Sequence, residues 1–269
     1  MDFLVFMGAP MAICLVLVGI HVQLGRHIVR RGVIFVDIAL AQSSALGAAV
    51  GVMLGAEVGT LPSSLWGLAF ALAGAALISF TRGRSKTVPQ EAFIGVAYVV
   101  AAAAAILVLT RVPHGAEETE ALLVGSILWA NWTDVLQAAL LYAGLGLLIH
   151  RLDPIFRRIT EDPETAQSSG VSLRLWDFLF YAILGVTVTY SVQIAGVFLV
   201  FAFLVVPSVM AELLQARRKL LTGWILGGAT AIAGTSLSYA LDLPTGATIV
   251  CSLGLVLLII MAIPSRDHR

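Results

Sequence analysis

The stretch IFVDIALAQSSALGAAVG, Ile34–Gly51, decides how the chain is read. It is apolar and rich in Ala, Gly and Ser. With its flanks it reaches the roughly 20 apolar residues that a membrane-spanning helix needs. Yet it keeps Asp37 and Gln42 in its first half. An ionisable residue at the centre of a span costs about 2.5–3.5 kcal/mol, so such a group faces a bundle interior or a pathway. The stretch therefore predicts a span inside a packed bundle rather than an isolated anchor.

The rest of the chain repeats the pattern. Of its 269 residues 59% are hydrophobic and 12% charged, where a soluble domain carries about 25% charged residues. Hydropathy predicts spans over Phe3–Leu24, Val33–Gly55, Leu61–Phe80, Ala92–Leu109, Asp134–His150, Trp176–Val192, Gly196–Leu214, Leu220–Ala240 and Thr245–Ile263. The first lacks the basic n-region of a secretory signal and is expected to be retained. The apolar piece Glu120–Ala130 is too short to span and is expected to lie at the interface or insert partway. Small residues throughout the spans let helix backbones approach closely. The fold class expected is an all-α integral membrane bundle of about nine helices, a single membrane domain over residues 1–269.

Charge orients this bundle. Of the 16 Lys and Arg residues, all but Arg111 fall in alternate connections: Arg26 to Arg31, Arg82 to Lys86, Arg151 to Arg174, Arg217 to Lys219, and Arg266 with Arg269. The opposite side holds Asp2, Glu57, Glu117, Glu118, Glu120, Asp134 and Asp242. The positive-inside rule then puts the N-terminus outside and the C-terminus in the cytoplasm. Net charge is zero, which suggests no nucleic-acid partner. Cys14 and Cys251 lie within apolar segments and have no partner spacing for a metal site or a disulfide framework.

One cytoplasmic connection, about residues 151–175, is more than a turn. Within it Asp162 can cap a short helix with Pro163 at its first position. Glu164 falls in the first turn, where its charge suits the helix dipole. Ala166 is small, and Gly170 can end the helix in a left-handed conformation. Such a helix could be an ordinary interfacial element, or a knob that docks on a motor subunit.

The segment DPETAQSSGV resembles the cytoplasmic coupling segment of metal-type permeases of bacterial ABC importers, an Asp-x-Glu-x-Ala-x-x-x-Gly pattern. It falls here on Asp162, Glu164, Ala166 and Gly170. GSILWANWTDVL from Gly125, GVFLVFAFLVVPSVMAELL with Gly196, Pro207 and Ala211, and LSYALDLPTGATIV from Leu237 follow the same family. The opening stretch falls where that family has its second-helix signature. The resemblance covers nearly the whole chain and implies the ABC importer permease fold. It implies a homodimeric pore in a bacterial inner membrane, two cytoplasmic ATPase subunits, and an extracytoplasmic solute-binding protein that delivers zinc, manganese or iron. ATP would be bound by the partner and no cofactor by this chain. The chain would not itself be an enzyme, in keeping with the lack of a phosphate loop, a His-Glu-x-x-His motif or a nucleophile elbow. The other reading is a carrier or channel driven by an ion gradient without an ATPase.

The signature is also where this chain departs from the family. Relatives place a histidine four residues after an aspartate, on one helix face. Here Gln42 takes the histidine's place and Ile38 precedes it by four, while Asp37 is one residue early. Five residues turn about 140° around a helix. Asp37 should therefore share a face with Ala41, Ser44 and Ala48, and Gln42 with Ile38, Ala45 and Ala49. Zinc prefers nitrogen and sulfur to an amide oxygen. Gln42 could coordinate a harder cation, bond to a hydrated or chelated ion, or pair with a second protomer. Asp37 could line the pathway, with Ser44 on its face, or pair with Arg30 or Arg31. Outside, His114, Glu117, Glu118 and Glu120 could gather a cation, contact a binding protein, or simply be solvated; the metal-ligand candidates are thus Asp37, His114, Glu117 and Glu118. His21 and His27 are expected at a span end. Pro207 is expected to kink its span.

Overall fold

The computed structural model of the chain describes residues 3–57, 60–82, 87–111, 125 and 127–263. Among these residues every regular element is helical: α1 Phe3–Arg31, α2 Val36–Met53, α3 Leu61–Thr81, α4 Gln90–Leu109, α5 Trp132–Glu161, α6 Pro163–Ser168, α7 Leu173–Leu213, α8 Lys219–Leu241 and α9 Thr245–Ala262. All but α6 are long and apolar enough to cross a membrane, giving eight candidate spanning helices among the described residues. The count reconciles with about nine spans in α7. Its 41 residues measure about 61 Å, twice the roughly 30 Å hydrocarbon core. Inside it Gly196 has φ 75° and ψ 161°, a backbone region essentially reserved for glycine. The two spans expected at Trp176–Val192 and Gly196–Leu214 are the two halves of α7.

The helices also overrun the spans. Helix α1 continues past Leu24 to Arg31, with Arg30 and Arg31 in its last turn, and α5 continues past His150 to Glu161. Basic residues are favoured at helix C-termini because they face the negative end of the dipole. So residues 151–161, expected to begin the cytoplasmic connection, are the end of α5, and the connection narrows to α6 with its flanks. Of Glu120–Ala130, the described part holds a short 3-10 turn, Ile127–Trp129. Asn131 then starts α5: its Oδ1 accepts from Thr133 N–H at 2.8 Å, and Asp134 Oδ2 accepts from Asn131 N–H at 2.9 Å.

The chain forms two compact units. One comprises Arg30–Leu123 and His150–Gln193. In it α2 packs on α3 and α4, and the close approach needs glycine. A Cβ on Gly47 would lie 2.4 Å from Trp66 O, and one on Gly67 would lie 2.9 Å from Ser44 Oγ. Glu91, at the start of α4, accepts a hydrogen bond from Phe35 N–H at 2.9 Å, so α4 caps the entry to α2.

The other unit comprises Met1–Val29, Val124–Ile149 and Ile194–Arg269. Here α1 meets the second half of α7 so closely that a Cβ on Gly25 would sit 1.9 Å from Leu204 O. Pro207 stays within α7, and α8 presents glycine to it: a Cβ on Gly227 would be 3.0 Å from Pro207 Cγ. Gly125, itself at φ 72°, lies against the break in α7, where its Cβ would come within 2.2 Å of Ala195 C and 2.3 Å of Gly196 N. The turn before α9 is closed by Asp242 at φ 51°, with Leu243 N–H bonded to Ser238 O at 3.0 Å, and Pro244 precedes α9. His21 and His27, expected at a span end, are both buried among the helices. They are 0% and 4% exposed, and His21 Nδ1 lies 2.7 Å from Leu17 O.

Candidate functional site

Two places concentrate the candidate residues: the α6 connection, and the polar groups of α2.

Helix α6 is locked at both ends by its own sequence. Asp162 Oδ1 accepts from Thr165 N–H at 3.0 Å, and Pro163 follows as the first helical residue. Hydrogen bonds from Thr165, side chain and backbone, hold the exposed Asp162 carboxyl below its ordinary range. Glu164 lies in the first turn. At the other end Gly170 adopts φ 83°. Its N–H reaches Gln167 O at 3.0 Å, while Val171 N–H reaches Ala166 O at 3.1 Å. This pair of bonds is the Schellman motif. Ala166 is fully buried, and the other residues of α6 face outward or are half-covered. Arg158 Nη2 donates to Ser169 Oγ at 2.8 Å, steadying the C-terminal end from α5. The result is a short rigid knob seated on one alanine.

Asp37 and Gln42 differ in burial. Asp37, Ala41 and Ser44 are buried and Gln42, Ile38 and Ala45 half-exposed, but Ala48, expected on the face of Asp37, is half-exposed and Ala49, expected on that of Gln42, is buried. Ser44 is turned to α3, against Gly67. Ile38 lines an apolar groove with Phe35, Ala92, Gly95, Val96 and Val99, between α2 and α4. Asp37 is 1% exposed, and its Oδ1 has no hydrogen-bond partner among the described residues. Of the arginines considered for it, Arg30 pairs with Glu161 at 3.2 Å and Arg31 with Asp177 at 3.0 Å. His114, Glu117, Glu118 and Glu120 lie outside the described residues. Among the described residues no group of three or more His, Cys, Asp and Glu side chains is arranged to hold a metal ion.

Sequence reasoning missed Glu91 as the cap of α2. It also missed the contacts around Asp177, where Arg31 and Arg82 converge from other helices. A signal existed for both, since each is an acid in the first turns of an otherwise apolar span.

Comparisons with known proteins bear on the fold and the family of the chain. The profile of the ABC 3 transport family matches residues 4–264. The chain is 27% identical over 233 residues to the manganese transport system membrane protein MntC of Halalkalibacterium halodurans, covering 84% of this chain and 76% of that one. It is 22% identical over 250 residues to the manganese import system permease protein ScaB of Streptococcus gordonii, covering 91% and 86%. Among solved structures, PsaBC from Streptococcus pneumoniae in complex with Fab superposes with a TM-score of 0.79 at 20% identity, over 97% of this chain and 92% of that chain.

Proposed function

We infer, from the premise that the chain belongs to the ABC 3 transport family, that it is the membrane permease of an ATP-driven importer for a divalent metal ion. The observation that carries the mechanism is α6, a helix fixed at both ends in which only Ala166 is buried. A knob pinned this way transmits a push without deforming. In this reading Asp162, Glu164, Ala166 and Gly170 form the contact with a cytoplasmic ATPase, and ATP chemistry stays on that partner. Two copies of the chain would enclose the pathway, and a binding protein outside would deliver the ion. That topology puts the N-terminus outside and the C-terminus in the cytoplasm of the cell membrane, with α6 on the ATPase side.

Manganese is the favoured cargo, because two of the relatives above are named for it. The chemistry of α2 favours a hard cation over zinc: the amide of Gln42 stands where relatives hold a histidine, and an amide oxygen is a poor zinc ligand. Asp37 and Gln42 act on that ion separately, since they lie on different faces. His114, Glu117 and Glu118 are proposed as the acidic entrance. A gradient-driven carrier without an ATPase is not favoured by the relatives.

The test is reconstitution. Vesicles holding the chain with its ATPase and binding protein should import manganese only with ATP inside the compartment that α6 faces. Replacing Glu164 and Gly170 together should abolish uptake while the permease dimer still purifies. Full-rate uptake without any ATPase would overturn the reading. Uptake of zinc but not manganese would overturn the choice of metal alone.

A further inference from the structure

Three charges gathered where α5 ends and α7 begins are unused by the function above. Asp177, in the first turns of α7, has a side chain 0% exposed; that of Arg31, the last residue of α1, is 5% exposed. Arg82, just past the end of α3, is 19% exposed. Both guanidinium groups donate to the same oxygen, Asp177 Oδ1, Arg31 Nη1 from 3.0 Å and Arg82 through its own Nη1. Each arginine also grips the last turn of α5. Arg31 Nε donates to Thr160 Oγ1 and Arg82 Nη2 to Ile159 O, both at 2.9 Å. Arg31 further lies 4.3 Å from the ring centroid of Phe180, on α7.

These contacts share one geometric property. The chain entering α6 (Ile159 and Thr160) and the chain leaving it (Asp177 and Phe180) are tied to the same two arginines. Those arginines end α1 and α3. Phe156 of α5 also packs directly on Trp176 and Phe180 of α7, so the knot is the polar part of the seam that a displacement of α5 against α7 would disturb.

The knot is also unsaturated. Two cations share one carboxylate oxygen, while Asp177 Oδ2 is buried with no hydrogen-bond partner among the described residues. A partly satisfied buried polar network is less stable than a completed one. A small rotation of the Asp177 carboxylate would let one arginine engage both oxygens in the fork geometry that guanidinium and carboxylate favour.

We propose that Asp177 is a two-position joint: it shares Oδ1 between Arg31 and Arg82 in this state, pairs with one arginine through both oxygens in the other, and so passes the movement of α6 to the ends of α1 and α3. The proposal rests on the reading that α6 docks on an ATPase. Asp177 touches neither ATP nor the ion; it is a positioning residue for coupling.

The experiment uses the whole complex in vesicles and measures ATP hydrolysis and manganese uptake together, for wild type, Asp177→Asn and Arg82→Lys. Asp177→Asn keeps the shape and removes the charge that both arginines need. The expected result is ATP hydrolysis near the wild-type rate with the number of ions imported per ATP down about tenfold, inside the roughly 5–150-fold range of coupling energies. Arg82→Lys keeps the charge but loses the fork. It is expected to lower the same ratio by a smaller factor, and it serves if Asp177→Asn fails to fold. Hydrolysis and uptake falling together, with the ions per ATP unchanged, would overturn the joint and leave a merely stabilising ion cluster. Wild-type import without the ATPase would instead overturn the reading on which the joint rests.

Discussion

Gly25 offers a test in which one helix carries its own control. A Cβ at Gly25 would stand 1.9 Å from Leu204 O and 2.6 Å from Ser208 Oγ. An ordinary carbon–oxygen contact is about 3.3 Å, so α1 and α7 would have to part by about 1.4 Å. Leu204 O is helix backbone and already accepts Ser208 Oγ–H at 3.0 Å, so no rotamer change relieves the clash. Overpacking of this kind costs about 1–3 kcal/mol, and a backbone obstacle places Gly25→Ala near the top of that range, about 3 kcal/mol. Gly19 is on the same helix, with nothing within 4 Å of its would-be Cβ. Gly19→Ala should stabilise by about 0.5–1 kcal/mol, through the smaller backbone entropy lost on folding. At about 2–4 °C per kcal/mol for a chain near this size, Gly25→Ala should melt roughly 6–12 °C below wild type. Gly19→Ala should melt at or slightly above wild type. The assay is thermal unfolding in detergent, followed by circular dichroism and by retention of the monodisperse peak. Equal melting of the two variants would refute the close approach of α1 to α7.

Other outcomes follow from the same geometry. Gly125→Ala should destabilise more than Gly170→Ala: both residues have positive φ, but a Cβ at Gly125 strikes Ala195 backbone at 2.2 Å and one at Gly170 meets nothing within 4 Å; expression yield and melting temperature measure the difference. The lowered range of the Asp162 carboxyl means that its support of α6 is complete above the ordinary carboxylate value and is lost as pH falls through the lowered one. Hydrogen exchange at the Thr165 amide should therefore stay protected at neutral and mildly acidic pH. That protection should disappear in Asp162→Ala at every pH and survive in Asp162→Asn, since Asn is also a good cap. Gln42→His alone should leave zinc competition against manganese uptake nearly unchanged, because Asp37 is on another face. The double change Ile38→Asp with Gln42→His places two ligands one turn apart and should strengthen zinc competition; strong competition by the single variant would contradict the spacing argument.

What could be read from the sequence was local. The spans follow from hydropathy, and the caps of α6 from residue types at fixed offsets: Asp before Pro, Glu in the first turn, and a Gly that tolerates φ 83°. The separate faces of Asp37 and Gln42 follow from helix pitch alone. What could not be read depends on partners far away in the chain. The same arginines that set the charge asymmetry gave no hint that Arg31 and Arg82 meet at Asp177, because a basic residue at a span end is explained equally well by water, lipid headgroups or a buried acid. The extent of α5 was misjudged for a related reason. RLDPIFRRITE, Arg151–Glu161, is polar enough to read as a connection, but its residues are helical, and Phe156 and Ile159 are fully buried. The break in α7 was legible, since the spans expected at Trp176–Val192 and Gly196–Leu214 part where Gly196 leaves helical geometry; what the sequence did not show is that Gly125 packs against that break. The sequence therefore locates the knob that an ATPase would push, while the joint that would receive the push is visible only once residues 31, 82, 160 and 177 are brought together.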